Sequence, residues 1–417
     1  MAQACTITAN RTKEPTMFLH PDTLALTALL AFLTALGPLS TDMYLPSLPA
    51  IAHALASDSA GAQMTLSAFL FGFAGGQIFY GPLSDRLGRK PVLLAGMVLF
   101  ILASLACAFA PSMSWLIVGR FFQALGASGP IVLGRAIVRD LYEGPRAGRE
   151  LSRMGTVMGV VPALAPLLGG VLETVFGWRS SFFATAFFGV TLGIIVILML
   201  PETLRERSPH AVSLRSIIGG FRVLLHHPRY RCYVSLSALA YSGLFTFISG
   251  SSFVLQKVYG LSVMGFSMVF SFVVLGYVTG TLIAQRAVGR LGLDRTIGLG
   301  VLALAGGGVA MMLAVWFGPG SPLEIMLPMT LYTMGVGLVM PQSMAGAMTP
   351  FPERAGAASS LLGLIQMTMA ALVGSLLGQM LDWGSALPLP ALILVLGVSA
   401  LLVHRMMARL PPSSPAK

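Results

Sequence analysis

The sequence predicts an all-α membrane protein whose twelve transmembrane helices form two six-helix halves. Of the 417 residues, 55% are hydrophobic and 10% are charged, whereas soluble domains carry about 25% charged residues. The charged residues leave twelve apolar stretches between them, each near the roughly 20 residues that cross a bilayer. Glycine is abundant, at 47 residues, as expected where helices pack closely in lipid.

The predicted spans, numbered one to twelve in chain order, lie between clusters of charged residues. Their approximate ranges are 23–48, 61–82, 91–110, 112–135, 153–173, 179–200, 231–255, 262–285, 295–317, 322–345, 355–380 and 384–404. Several of these stretches lack charge for much longer than the core helix of a soluble protein requires, which excludes a soluble fold.

The longest polar stretch of the chain separates six spans from six. It contains several arginines and a short amphipathic segment at 214–225, which we expect to lie on the anionic inner leaflet as a linker. The chain therefore divides into a cytoplasmic tail (1–22), a first half (23–200), a central loop (201–230), a second half (231–404) and a cytoplasmic C-terminal tail (405–417).

The distribution of basic residues predicts the orientation in the membrane. With the N-terminus in the cytoplasm, only Arg179 and Lys257 fall in outer loops, and Arg120 lies inside a span. All other lysines and arginines are then cytoplasmic, so the positive-inside rule places both termini there. The tripeptide Arg-Leu-Gly follows span two at 86–88 and span eight at 290–292, which supports a duplicated six-helix unit.

Several functional classes are excluded by what the sequence lacks. A net charge of +11 suggests nucleic-acid binding, but no basic stripe or nucleic-acid motif is present. The cysteines lie far apart without metal-ligand spacing, and the histidines fall outside the spans or at their edges. No hydrolase, metalloprotease or nucleotide-binding string occurs, and no filter repeat typical of a channel. We therefore expect neither an enzyme nor a metal, cofactor or ATP site.

The short loop between spans two and three carries a dense cluster of charges, in the string GPLSDRLGRK. Gly81 and Gly88 permit a tight reversal, and Asp85 can bind the free amides of a helix start. The other charged residues of the loop are Arg86, Arg89 and Lys90. Taken by themselves, these charges indicate an ordinary hairpin held in the cytoplasm by the positive-inside rule.

Two spans contain charged residues that are costly in a bilayer. Arg120 in span four costs about 2.5–3.5 kcal/mol on insertion scales, so it should face an interior cavity or bind buried carbonyl groups. Asp42 in span one is the only acid well inside a predicted span. It lies among Pro38, Pro46 and Pro49, which break the helix and free carbonyl groups to line a cavity. Asp42 either exchanges a proton for a ligand or is hydrated near the outer interface.

Span five carries the string GVVPALAPLLGG. Its two prolines, Pro162 and Pro166, predict a bent helix, and the small residues Gly169 and Gly170 allow a neighbouring helix to pack closely.

Taken together, these four segments resemble the major facilitator superfamily, and the span-one string GPLSTDMYLPSLP closely resembles the Bcr/CflA drug-resistance transporters. The loop string is similar to the signature G-x-L-x-D-R-x-G-R-K, in which the acid and its basic neighbours latch the two halves. The arginine and glutamine of span four are similar to the R-x-x-Q motif of proton-coupled members, although Ala124 and Leu125 separate Gln123 from the next glycine. Span five resembles the antiporter motif G-P-x-x-G-G, with Ala165 in place of its first glycine.

The resemblance implies the major facilitator fold and a proton-driven drug efflux antiporter in a bacterial inner membrane. Asp42 and Arg120 are then expected to couple protons to a small drug of bicyclomycin, phenicol or sulfonamide type, in a monomer driven by the proton gradient. A proton-coupled uptake symporter, or an exporter of an endogenous metabolite, remains the alternative. We expect the cavity to include the polar and aromatic residues Tyr44, Gln123, Tyr241, Phe245, Tyr332 and Gln366.

Overall fold

The computed structural model describes residues 23–142, 144–204, 214–351, 354–381 and 385–410, and the regular secondary structure in these ranges is helical. Twelve of the helices are long and apolar enough to cross a membrane, which confirms the predicted fold class. They are Leu24–Ala54, Ser59–Leu87, Arg89–Ala108, Met113–Leu141, Arg149–Phe176, Arg179–Met199, Pro228–Val258, Val263–Leu291, Leu293–Phe317, Leu323–Met348, Gly356–Leu381 and Pro388–Ala408.

Several spans extend beyond their predicted ends. Span four continues to Leu141 and span eight to Leu291, because charged side chains outside the hydrocarbon reach water while the helical backbone stays hydrogen-bonded. The helix of span five begins at Gly144, so Glu150 is helical rather than part of a loop. Glu150 is buried and accepts a hydrogen bond of 2.6 Å from Thr27. Glu150 is thus a buried acid near the start of the span-five helix, outside the predicted range of 153–173.

Span one is a broken helix. Its first segment, Leu24–Asp42, is followed by a 3-10 turn at Leu45–Ser47 and a short helix at Leu48–Ala54. Proline at 46 and 49 lacks the amide hydrogen that a continuous helix would use, so the break follows directly from the sequence. The break places Asp42 at the end of the first segment.

Two tight reversals recur at corresponding places in the two halves. Gly88 has a φ of 107° and begins span three, and Gly292 has a φ of 78° and begins span nine. Residues other than glycine rarely adopt this backbone conformation. The repeated Arg-Leu-Gly tripeptide therefore marks the same turn in each half.

The two ends of the bundle differ in charge. We call the end that carries Arg86, Arg89, Arg290 and Arg405 the basic end, and the end that carries the turn at 55–58 the opposite end. The halves meet chiefly through the pairing of span two with span eleven and of span five with span eight. A separate helix, Leu214–His226, precedes span seven at the basic end, where the sequence predicts the amphipathic segment.

Hydrogen bonds between the halves are concentrated toward the opposite end in the described part of the chain. Ser67 of span two donates to the Ala371 carbonyl at 3.0 Å, and Gln256 of span seven donates to the Pro46 carbonyl at 2.9 Å. Ser271 of span eight donates to the carbonyl of span five at Ala163, at 2.6 Å. The halves are therefore closed against each other at the opposite end.

Candidate functional site

A cavity of about 420 Å³ lies between the two halves. Most of its lining is apolar or aromatic, and it includes Phe69, Phe73, Phe245, Phe270, Met158 and Met340. Among the described lining residues, Asp42 and Arg135 are the charged ones. The cavity thus combines a large apolar surface with a few polar groups, as small-molecule sites do.

The cavity extends from Asp42 toward the basic end. Arg135, Met344 and Ser359 line it within two turns of the basic ends of spans four, ten and eleven. Because the halves are hydrogen-bonded to each other toward the opposite end, the central cavity faces the basic end.

Asp42 lies at the C-terminal end of the first helical segment of span one, and 5% of the residue is exposed. Its neighbours Ser40 and Thr41 donate their hydroxyl hydrogens to carbonyls one turn back, at Leu36 and Gly37. The Asp42 carboxyl makes no hydrogen bond with a described residue and borders the cavity. It can therefore accept either a proton or a ligand's donor group.

Arg120 is fully buried, and it is absent from the cavity lining. Its guanidinium donates to the Ser40 carbonyl at 3.0 Å and to Gln123 Oε1 at 2.6 Å. The guanidinium carbon lies 4.2 Å from the ring centre of Tyr44 and 4.3 Å from that of Phe69, which is cation–π geometry. Arg120 therefore joins spans one and four behind the cavity wall. The carbonyl that it binds on span one belongs to Ser40, two residues before Asp42.

The predicted cavity residues divide into two groups. Tyr241, Phe245 and Gln366 line the cavity. Tyr44, Gln123 and Tyr332 are buried and do not line the cavity. A residue type alone does not tell which face of a helix it occupies.

Two of these buried residues form the polar layer around Arg120. The Tyr44 hydroxyl is 2.9 Å from Thr65 Oγ1, and Gln123 Nε2 donates to Ser104 Oγ at 2.8 Å. Arg120 thus sits in a network that includes hydrogen-bonding groups of spans one to four, while its Nε and second terminal nitrogen lack a partner among the described residues.

The charged loop at 81–90 forms a network within the first half. Arg89 pairs with Asp85 and, through Nε at 2.9 Å, with Asp140 at the end of span four. The Arg89 amide donates to Glu202 Oε1 at 2.8 Å, and Lys90 Nζ donates to the Ile197 carbonyl at 2.9 Å. Arg86 is exposed. In this conformation the loop ties spans two, three, four and six together rather than joining the two halves.

The small residues of span five occupy close contacts at the opposite end. A side chain at Gly169 would collide with the Met43 carbonyl of span one, and one at Gly170 with Ser267 of span eight. Pro162, one of the two prolines of this span, lines the cavity. The predicted close approach at Gly169 and Gly170 therefore occurs, and the contact of Gly170 lies between the halves.

No group of three or more histidine, cysteine, aspartate or glutamate side chains that could hold a metal ion occurs in the described ranges.

A family model described as Major Facilitator Superfamily matches residues 30–375. The chain belongs to the Major Facilitator Superfamily. It is therefore a multi-pass membrane transporter and not an enzyme.

Relatives of the transporter share about 30% of its residues over most of both chains. It is 33% identical to the uncharacterized MFS-type transporter YdgK of Bacillus subtilis over 90% of this chain and 93% of that protein. It is 30% identical to multidrug resistance protein D of Escherichia coli over 84% and 87%. It is 28% identical to a bicyclomycin resistance protein homolog of Haemophilus influenzae over 84% and 88%.

Solved transporters share the fold at much lower identity. The xylose transporter XylE from E. coli matches with a TM-score of 0.73 and 15% identity over 94% of this chain and 98% of that one. A bacterial homolog of the human lysosomal transporter Spinster matches with a TM-score of 0.74 and 16% identity over 93% and 98%. These likenesses show the fold alone.

Sequence reasoning missed two kinds of residue in this transporter. Arg135 lines the cavity, but sequence reasoning made it the last residue of span four and counted it with the cytoplasmic charges. Asp140, at the end of span four, and Glu202, just after span six, bind Arg89. The spacing of 15 residues from Arg120 on the same helix does not identify Arg135 as a cavity residue, because Arg120 itself lies behind the cavity wall.

Proposed function

We propose that this transporter is a proton-driven antiporter that exports small drug-like molecules. The observation that carries the proposal is the composition of the central cavity. Asp42 is the one acid among its described lining residues, and it stands among aromatic and methionine side chains. Such a cavity suits a lipophilic molecule with a polar group, and an acid in it can exchange a proton for that group.

The proposed mechanism is alternating access between the two halves. The basic end faces the cytoplasm by the positive-inside rule, so the present conformation loads substrate from the cytoplasm. Rocking of the halves then breaks the hydrogen bonds of Ser67, Gln256 and Ser271 at the outer end and closes the basic end. A proton entering from outside neutralises Asp42 and favours release of the substrate.

Arg120 acts in this mechanism from behind the cavity wall. Its bond to the Ser40 carbonyl fixes the turn of span one that carries Asp42. A positive charge near that turn stabilises the ionised carboxylate. The proton supplies roughly 2.3 kcal/mol per 100 mV for each charge moved, in addition to the pH gradient. We propose that the unit is a monomer in a bacterial inner membrane, with both termini in the cytoplasm.

Export is favoured over uptake by the relatives that are named for resistance to drugs. Uptake symport, or export of an endogenous metabolite, is the alternative. The feature that argues for uptake is Ala165 in span five, where the antiporter pattern has a glycine. In antiport the substrate and the proton cross the membrane in opposite directions, whereas in symport they cross in the same direction. This difference can be measured.

A susceptibility panel with chloramphenicol, bicyclomycin and sulfadiazine in an efflux-deficient bacterium selects the drug. Everted vesicles from that bacterium are then energised, and the acid interior is followed with a quenched fluorescent amine. Addition of an exported drug should restore the fluorescence, because the drug enters the vesicle as protons leave. Vesicles with Asp42→Asn should show no recovery. Resistance without any recovery in wild-type vesicles would contradict proton antiport.

A further inference from the structure

The second charged residue of the cavity has no part in the mechanism above. Arg135 lies on span four, six residues before Leu141, and its side chain is exposed where it borders the cavity. It makes no hydrogen bond or ion pair with a described residue, whereas Arg89, Arg153 and Arg229 each pair with an acid.

The described neighbours of Arg135 in the cavity wall offer no counter-charge. The lining toward the basic end is formed by Met158, Met344, Leu362 and Ser359. The next charged residue on the same helix is Arg139, one turn closer to the basic end. The cavity therefore has an unbalanced positive charge near its mouth.

The position of Arg135 differs from that of an orienting charge. Residues that serve the positive-inside rule lie in loops or at the headgroup level. Arg135 instead lines the cavity between the two halves, nearly two turns before its helix ends at Leu141. Guanidinium presents several donors in a fixed fork that matches a carboxylate or similar anion.

We propose that Arg135 forms an anion subsite at the basic end of the cavity, which receives the carboxylate or other anionic group of an amphipathic substrate. This inference rests on the proposed export function and assigns its substrate class. The apolar body of the substrate extends toward the aromatic side chains, and lipophilic cations are disfavoured at the entrance.

Asp42 and Arg135, the two charged residues of the cavity, are far enough apart to act separately. Arg120, which binds the turn next to Asp42, precedes Arg135 by 15 residues, or about 22 Å of helix. Over a comparable separation the interaction between Asp42 and Arg135 is weak at physiological ionic strength, where the Debye length is about 8 Å. An ionised Asp42 therefore does not prevent an anion from binding at Arg135.

The first test measures the charge preference of the cavity mouth without any assumption about the substrate. Ser359→Cys is introduced into a chain whose native cysteines are replaced by alanine. Its modification rates are compared for an anionic reagent, 2-sulfonatoethyl methanethiosulfonate, and a cationic one, 2-(trimethylammonium)ethyl methanethiosulfonate. Arg135→Gln should lower the anion-to-cation rate ratio by roughly fivefold or more.

Arg139→Gln is the matched control, because Arg139 carries the same charge one turn away and does not line the cavity. It should change the ratio less than about twofold, since the charge lies nearer bulk solvent. An equal ratio in wild type and Arg135→Gln, or an equal effect of both substitutions, would overturn the subsite.

The second test measures binding to purified protein with a matched pair of ligands, norfloxacin and its methyl ester, which differ in the carboxylate. Wild type should bind norfloxacin about tenfold more tightly than the ester, as one charge-assisted hydrogen bond would give, and Arg135→Gln should lose that preference while binding the ester unchanged. Arg135→Lys should keep part of it as a point charge. Preference of wild type for the ester would overturn the proposal. Neither test involves proton movement, so failure of proton antiport in vesicles is distinguishable from failure here.

Discussion

Gly170→Ala should shift the transporter away from the conformation described above. An alanine Cβ at this position would lie 2.5 Å from Ser267 Oγ and 3.4 Å from Ser267 Cβ in the other half. Ser267 is fully buried, and its hydroxyl donates to the Val263 carbonyl at 2.9 Å, so its rotation breaks a hydrogen bond. Overpacking of this kind costs about 1–3 kcal/mol.

That cost falls only on the state in which the opposite ends are closed, because rocking separates spans five and eight there. The equilibrium should therefore shift roughly 5- to 150-fold toward the state open at the opposite end. Gly159→Ala on the same helix is the control, since its Cβ would meet nothing within 4 Å.

The assay is double electron–electron resonance between spin labels on cysteines at His53 and Leu323, which are exposed at the opposite end of different halves. Gly170→Ala should add a longer distance that wild type and Gly159→Ala lack. Ser267→Ala in the same chain should remove that distance, because the remaining contact of 3.4 Å is an ordinary one. An unchanged distribution for Gly170→Ala, or no rescue by Ser267→Ala, would refute the reasoning.

Two further substitutions test the charged residues of the first half. Arg120→Ala should reach the membrane, because its helix stays apolar, but it should lose drug-driven proton movement in everted vesicles; normal efflux at equal expression would contradict this role. Asp85→Asn should insert normally, because the Asp85–Arg89 pair is partly exposed and such pairs contribute about 0–1 kcal/mol. The substitution should nevertheless impair transport and favour the present conformation. If cysteines placed in the outer cavity were labelled as fast as in the wild type, the loop at 81–90 would not be a latch between the halves.

The sequence predicted the fold because hydropathy and charge spacing are local properties of the chain. It also predicted that Asp42 faces a cavity, since an acid between prolines in an apolar span can be recognised without knowledge of the packing. The cation–π contacts of Arg120 were not predictable, because Tyr44 and Phe69 come from different spans and meet only after folding. Arg135 was missed because a charge was assumed to end the membrane span.

The same limit applies to the loop at 81–90. Its glycines predicted the reversal correctly, since a positive φ at Gly88 is a local requirement. Besides Asp85 in the loop itself, however, Arg89 binds Asp140 at the end of span four and Glu202 just after span six, both more than 50 residues away along the chain. Their identity depends on how those helix ends assemble at the basic end, which no spacing within the loop specifies.

The most direct test of the proposed coupling is proton release from detergent-solubilised transporter in weakly buffered solution, on addition of a drug selected by susceptibility. Wild type should release about one proton per neutral drug molecule bound, because a single carboxyl must lose its proton to accept the drug. Asp42→Asn, which resembles the protonated state, should fold normally and release none. Equal release from wild type and Asp42→Asn would contradict the assignment and place the coupling acid elsewhere, with Glu173 and Glu324 the next residues to test.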